Sequence, residues 1–207
     1  MKLTKRLQAL ANMAKDAERI FDIGCDHGIL SVFFALQGKK VIASDLREAP
    51  LNSAKALAKK YQVEEKIAFY LCDGIPKIEK KENDFFILAG MGAHTILHIL
   101  EENIEGTFVI QSNNDLPYLR EEMQKKGYQI IEEKAVFDKK WYVFIKFQVG
   151  DAIYTKEDFA YGPFLKKDKE YMTYLYEKKK KIYERSKQEQ QLEEIKTIQK
   201  LIEKCSG

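Results

Sequence analysis

At 207 residues the chain has room for one sizeable core and an appendage, since single domains cluster around ~100–150 residues. Its 45% apolar and 12% aromatic content exclude a disordered chain, and no run nears the ~20 apolar residues of a membrane span. A net charge of +3 neither demands nor excludes an anionic partner, because local patches decide that. The opening "MKLTKRLQAL" lacks the apolar core of a signal peptide, so a cytoplasmic protein away from membranes is expected. Cys25, Cys72 and Cys205 have no paired spacing, which argues against a disulfide framework and against a zinc site.

In chain order, the first fifteen residues carry Lys2, Lys5, Arg6 and Lys15 without an acid. Strands are expected at "RIFDIG" (19–24), "KVIASD" (40–45), "IAFYLC" (67–72), "DFFILA" (84–89) and "GTFVIQ" (106–111). Helix-forming stretches follow four of them, around 30–37, 48–61, 93–103 and 116–126, with Pro50 and Pro117 where early helical turns tolerate proline. Two further strands, "YQIIEEKAVF" (128–137) and "WYVFIKFQV" (141–149), are parted only by Asp138, Lys139 and Lys140. So short a link cannot hold a crossover helix and predicts an antiparallel hairpin.

The expected fold class is therefore α/β, a mostly parallel seven-stranded sheet ending in an antiparallel hairpin. That is the layout of the class I Rossmann-like methyltransferases. Composition changes after Gly150: residues 151–165 read as a connector, and from Lys166 to Cys205 there is neither Gly nor Pro. Met172, Leu175, Ile182, Leu192, Ile195, Ile198 and Ile202 fall near helical spacing, which predicts a coiled-coil-like helical hairpin turning around Ser186–Gln191. Two units are expected, residues 1–150 and 151–207. Nine Lys or Arg against four acids between Lys166 and Lys187 make the second one basic.

The turn after the first strand reads Asp22-x-Gly24-x-Asp26-x-Gly28 and includes Cys25. It misses the G-x-G-x-x-G dinucleotide pattern and is similar to the methyltransferase motif Asp-x-Gly-x-Gly-x-Gly, with Asp26 in place of the middle glycine. Acids and glycines recur at the following strand ends. Asp45, with Leu46 beside it, stands 21 residues beyond Gly24, where a carboxylate accepts from ribose hydroxyls. Asp73 and Gly74 follow the third strand, and Ala89, Gly90 and Met91 open "AGMGAH" after the fourth.

Taken together, "LTKRLQALA", "DIGCDHGIL", "CDGI", "AGMGAH", "IQSNN" and "GPFLKKDK" resemble, in order and spacing, the bacterial tRNA (adenine-22-N1)-methyltransferase family, TrmK. The likeness runs from residue 3 to about 185. Ile29 stands where that family often has tyrosine, and Ala93 where it tends to have a fourth-place glycine. The resemblance implies S-adenosylmethionine as cofactor, held by the strand-end residues just named, and tRNA as partner; a monomer is expected.

Adenine N1 offers a neutral in-plane lone pair, so methylation there needs positioning and charge stabilisation rather than a strong base. Asp26 is the candidate catalytic residue, accepting from the exocyclic amine; the other reading makes it a cap of the next helix. His27 is expected to hold Asp26 or touch the base. The polar-Pro-Pro-aromatic loop of N6-adenine enzymes is absent after the fourth strand. Asn113 and Asn114 either line the acceptor pocket or cap the helix near Leu116. His94 and His98 lack a third ligand nearby in sequence and read as packing residues, so no metal is expected. A paired adenine must be turned out of its helix, and Lys5, Arg6, Lys178, Lys179, Lys180 and Lys181 are the expected grips on the tRNA backbone. Two rivals stay open: a methyltransferase of the same sheet acting on a small molecule or protein, and a non-catalytic RNA-binding protein with a degenerate pocket.

Overall fold

The computed structural model describes residues 1–205, apart from the side chain of Gln190; residues 206 and 207 of the expected second unit lie outside the described residues. Seven strands, β1 (Arg19–Ile23), β2 (Lys40–Asp45), β3 (Ile67–Leu71), β4 (Phe85–Met91), β5 (Thr107–Ser112), β6 (Tyr128–Asp138) and β7 (Lys140–Val149), form one sheet. Its order is β3-β2-β1-β4-β5-β7-β6, with the first five parallel and β7 antiparallel to both neighbours. This is the expected methyltransferase sheet with its closing hairpin. The hairpin is tighter than expected, since Asp138 pairs with Lys140 and Lys139 alone turns, at φ 64°. Strand order reverses between β1 and β4, and a crevice opens there at the carboxyl ends.

The helices are α1 (Lys5–Met13), α2 (Ile29–Leu36), α3 (Glu48–Lys60), α4 (Ala93–Ile99), α5 (Leu116–Lys125), α6 (Lys156–Tyr161), α7 (Lys169–Ser186) and α8 (Glu189–Lys204). Helices α1 to α3 cover one face of the sheet, and α4, α5 and the start of α7 cover the other. Burial on both faces is why the parallel strands read as unbroken apolar runs. On the second face Phe21, Phe86 and Phe108 stand in register on adjacent strands and stack with centroids 4.6 and 4.8 Å apart.

Three helical features depart from the expected pattern. Helix α1 was not anticipated; the Thr4 hydroxyl caps it by accepting from Leu7 N–H, and it buries Ala9, Leu10, Ala11 and Met13. Helix α6 forms inside the connector on a capping box of Thr155 and Asp158. Helix α4 stops at Ile99 instead of 103, because the Tyr128 hydroxyl donates to the Ile104 carbonyl (2.8 Å) and accepts from its N–H (2.9 Å). That contact draws the chain off the helical path into the core.

Helices α7 and α8 fold back at Lys187 and Gln188 as the spacing predicts, around Met172, Ile198 and Leu201. Tyr171, Tyr174 and Leu175 reach from α7 into the core cluster of the sheet's second face. Beneath the connector, Arg120 of α5 and Glu133 of β6 form an ion pair at 2.8 Å with side chains 1% and 0% exposed. Arg120 also donates to the Phe159 carbonyl, and the other Glu133 oxygen accepts from Phe164 N–H at 3.1 Å. One buried pair thus ties sheet, α5 and connector together. No helix among the described residues is long and apolar enough to cross a membrane.

Candidate active site

Residues 24–28 cross the carboxyl edge between β1 and α2. The N–H groups of Gly24 and Cys25 both donate to the Ser44 carbonyl on β2, at 2.8 and 2.9 Å, which fixes the turn. Gly28 begins α2 at φ 69°, and a Cβ there would lie 2.6 Å from the Ala54 Cβ on α3. Only glycine permits both the left-handed turn and that approach. Gly24 also turns through the left-handed region, at φ 71°, with the Met91 methyl close by.

A cleft of about 640 Å³ opens above this turn. It gathers Asp22, Gly24, Cys25, Asp45, Leu46, Asp73, Gly74, Ala89, Gly90 and Met91 with Asp26 and His27 at one site. Gly28 alone of the expected cofactor residues does not line it; it acts behind the wall by setting the approach of α2 to α3.

Two acids give the cleft its electrostatic character. Asp22 is 5% exposed; burial pushes its carboxyl up to about 6 against the bond donated by the Ser31 hydroxyl at 2.5 Å. Asp45 ends β2 with one oxygen accepting from Asp26 N–H (3.1 Å) and the other from Arg47 N–H (2.9 Å). A carboxylate has about four acceptor sites, so Asp45 keeps capacity for two hydroxyls. Burial pushes the Cys25 and Cys72 thiols up, which keeps both protonated and unreactive.

These residues fit S-adenosylmethionine. Asp22 suits its ammonium, Asp45 its ribose, and the exposed Leu46 side chain beside Asp73 an adenine face. Asp45→Ala is expected to weaken donor binding at least tenfold, a charge-assisted bond being worth about 1.5–3 kcal/mol. Calorimetry on the folded variant checks it, and unchanged affinity would remove the assignment. Because Asp22 must be ionised to hold a cation and titrates near 6, donor affinity should fall roughly tenfold between pH 7.5 and pH 5. In Asp22→Asn that pH dependence should vanish.

On the acceptor side Asp26 sits at φ 51° with its side chain 60% exposed at the cleft mouth. It does not cap α2: the N-cap is Gly28, and no side chain bonds there. His27 Nε2 and Arg47 Nη2 both lie 3.8 Å from Asp26 Oδ1, beyond hydrogen-bond reach, so the carboxylate is not tied down. Strand β4 runs to Met91, past the expected end at 89, and bulges: Ala89 pairs with Gln111 and Met91 with Ser112, leaving Gly90 unpaired. The Gly90 carbonyl accepts from Asn113 Nδ2 at 2.7 Å.

Asn113 therefore stands behind the cleft wall and holds one of its residues, Gly90. Asn114 does cap a helix, though not the one expected. Its Oδ1 accepts from Ala93 N–H at the start of α4, while α5 begins at Leu116 with Asp115 at its N-cap and no side-chain cap bond. Arg6, expected among the phosphate grips, is built into the cleft: its Nε donates to Gln111 Oε1 (3.0 Å) and its guanidinium lies over the Tyr142 ring. Lys5, Lys178, Lys180 and Lys181 are exposed, whereas Lys179 is ion-paired with Glu194. His94 packs against Tyr118 with the rings tilted by 40°, and His98 bonds to Glu101. Arg47 and Tyr142 had drawn no attention in the sequence, since no motif flags them, and Gln111 stood inside "IQSNN" without a role assigned to it.

Residues 3–145 match the methyltransferase domain family. The tRNA (adenine(22)-N(1))-methyltransferase of Bacillus subtilis (strain 168) is 32% identical over 183 residues, 82% of this chain and 77% of its own. The structure of the B. subtilis tRNA methyltransferase TrmK superposes with a TM-score of 0.76 at 28% identity, over 98% of this chain and 96% of that one. A Streptococcus pneumoniae protein in complex with S-adenosyl-L-methionine gives 0.86 at 26% identity, over 97% and 100%. With that likeness over most of its length, and the cleft intact, the chain belongs to the tRNA (adenine-22-N1)-methyltransferase family, TrmK.

Proposed function

We propose that the protein methylates N1 of adenine 22 in tRNA, using S-adenosylmethionine. The observation that carries this reading is the untied Asp26 carboxylate at the mouth of the donor cleft, beside a bulge that puts no side chain at Gly90. S-adenosylmethionine, when bound, supplies a methyl group on a cationic sulfonium. Asp22 and Asp45 hold that molecule from the β1 and β2 ends.

N1 presents its own lone pair, so no residue at the mouth has to take a proton before transfer. Asp26 accepts from the exocyclic amine, which orients the ring and favours the positive charge that arrives on it. Asn113 fixes the Gly90 carbonyl, and Arg6 is held by Gln111, so the wall against which the ring slides is rigid. Lys5, Lys178, Lys180 and Lys181 grip phosphates while the nucleotide is turned out. In this reading residues 1–150 carry the chemistry, residues 151–207 hold tRNA, and the enzyme works as a cytoplasmic monomer.

Labelled S-adenosylmethionine is offered to the protein with unmodified tRNA, and separately with a protein extract. Label is expected in tRNA. Label in the protein fraction alone, or none at all from a chain that binds the donor, would overturn the reading.

A further inference from the structure

A second cavity, of about 420 Å³, opens beside the donor cleft where α7 meets the sheet. That volume lies within the range of small-molecule sites. Its wall is aromatic: the Trp141 indole of β7 lies 5.5 Å from the Tyr174 ring at 30° and 5.6 Å from the Tyr171 ring at 61°. Trp141 and Tyr174 are only half-buried, and both line the cavity.

Tyr171 is 6% exposed, yet its hydroxyl bonds to no described residue. No fully buried side-chain oxygen or nitrogen among the described residues lacks a partner, so this hydroxyl keeps some accessible surface, and Tyr171 is among the residues that line the cavity. Burial pushes its phenol up to about 12, which keeps it a donor at neutral pH. At the rim Lys178 is exposed and without a partner among the described residues, while Glu194 is neutralised by Lys179. Asn113 forms the partition between the two cavities, since it lines this one and donates to Gly90 in the other. Core packing explains why these rings touch. It explains neither the open volume nor the unpartnered hydroxyl.

We propose that this cavity takes a second, unpaired nucleobase of the tRNA, stacked on the Trp141–Tyr174 pair with its phosphate on Lys178. The inference rests on tRNA being the substrate. Turning the target adenine out of its helix leaves a neighbouring base without a stacking partner. An aromatic platform one loop away replaces that partner whatever the base, because every base has a flat π-face. The strand is then held open while the target occupies the first cleft.

Trp141 is the chain's single tryptophan, so emission excited selectively from tryptophan, apart from the 11 tyrosines, reports on this cavity. The full-length protein is titrated with unmodified tRNA and with a blunt RNA duplex that has no unpaired nucleotide. Label transfer to tRNA is measured alongside for wild type, Lys178→Ala, Tyr174→Leu and Tyr174→Phe. Saturable quenching by tRNA but not by duplex is expected. Tyr174→Leu and Lys178→Ala should raise KM for tRNA roughly tenfold with donor affinity unchanged, and Tyr174→Phe, which keeps the ring, should behave as wild type. Unmoved emission while tRNA is bound and methylated, or KM within about twofold in Lys178→Ala and Tyr174→Leu alike, would overturn the base site and leave the methylation reading standing. Quenching by a tRNA that is never methylated would do the reverse.

Discussion

Asp26→Asn is expected to slow single-turnover methylation of saturating tRNA by roughly 10²–10³-fold, equivalent to about 2.7–4 kcal/mol of barrier. The substitution keeps size and one acceptor but removes the charge that faces the methylated ring. Backbone strain does not confuse the result, since Asn tolerates the left-handed conformation at φ 51° as well as Asp does. Loss of a helix cap does not confuse it either, because Gly28 holds that position. The ion pairs lost to His27 and Arg47 are long and exposed and are worth little. Donor affinity should stay within about twofold, as Asp45 receives the backbone N–H of residue 26 and not its side chain. A near wild-type rate would leave Asp26 without a chemical role.

Glu133→Ala should cost about 3–5 kcal/mol of folding stability, the loss found when one member of a buried pair is removed and the other is left as an uncompensated charge. Arg120 would keep its bond to the Phe159 carbonyl but lose its counter-charge, and Phe164 N–H would lose its acceptor. Urea unfolding at neutral pH measures this. Removing the exposed pair of Lys125 with Glu121 and Glu122 should change stability by less than about 1 kcal/mol in the same assay. Glu133 also anchors the connector that leads to α7, so Glu133→Gln, if folded, should raise KM for tRNA more than it alters donor affinity. A change below about 1 kcal/mol in Glu133→Ala would show that the connector is held by packing instead.

The sheet was legible because burial on both faces forces apolar runs, and the ends of the first four strands were marked by an acid or glycine that the ligand edge requires. Asp22, Asp45, Asp73 and Gly90 came together in one cleft for that reason. What stayed hidden depends on partners distant in sequence. Arg6 finds Gln111 across 105 residues, and Asn114 caps a helix that begins 21 residues earlier. Glu133 sits in a strand with charged neighbours and looks solvated until Arg120 is placed against it. Tyr128 ends α4 early by a tertiary bond that no local propensity records. Helix α1 carried its own signal, a Thr4 cap ahead of Leu7, Leu10 and Ala11, but the segment's charges drew attention first.

The most direct test locates the methyl group. Two unmodified tRNA transcripts, one with adenine at position 22 and one with guanine there, are incubated with the protein and S-adenosylmethionine, then digested to nucleosides and analysed by mass and retention. The expected result is 1-methyladenosine from the first transcript and none from the second. Methyl on N6, or equal methylation of both transcripts, would contradict it.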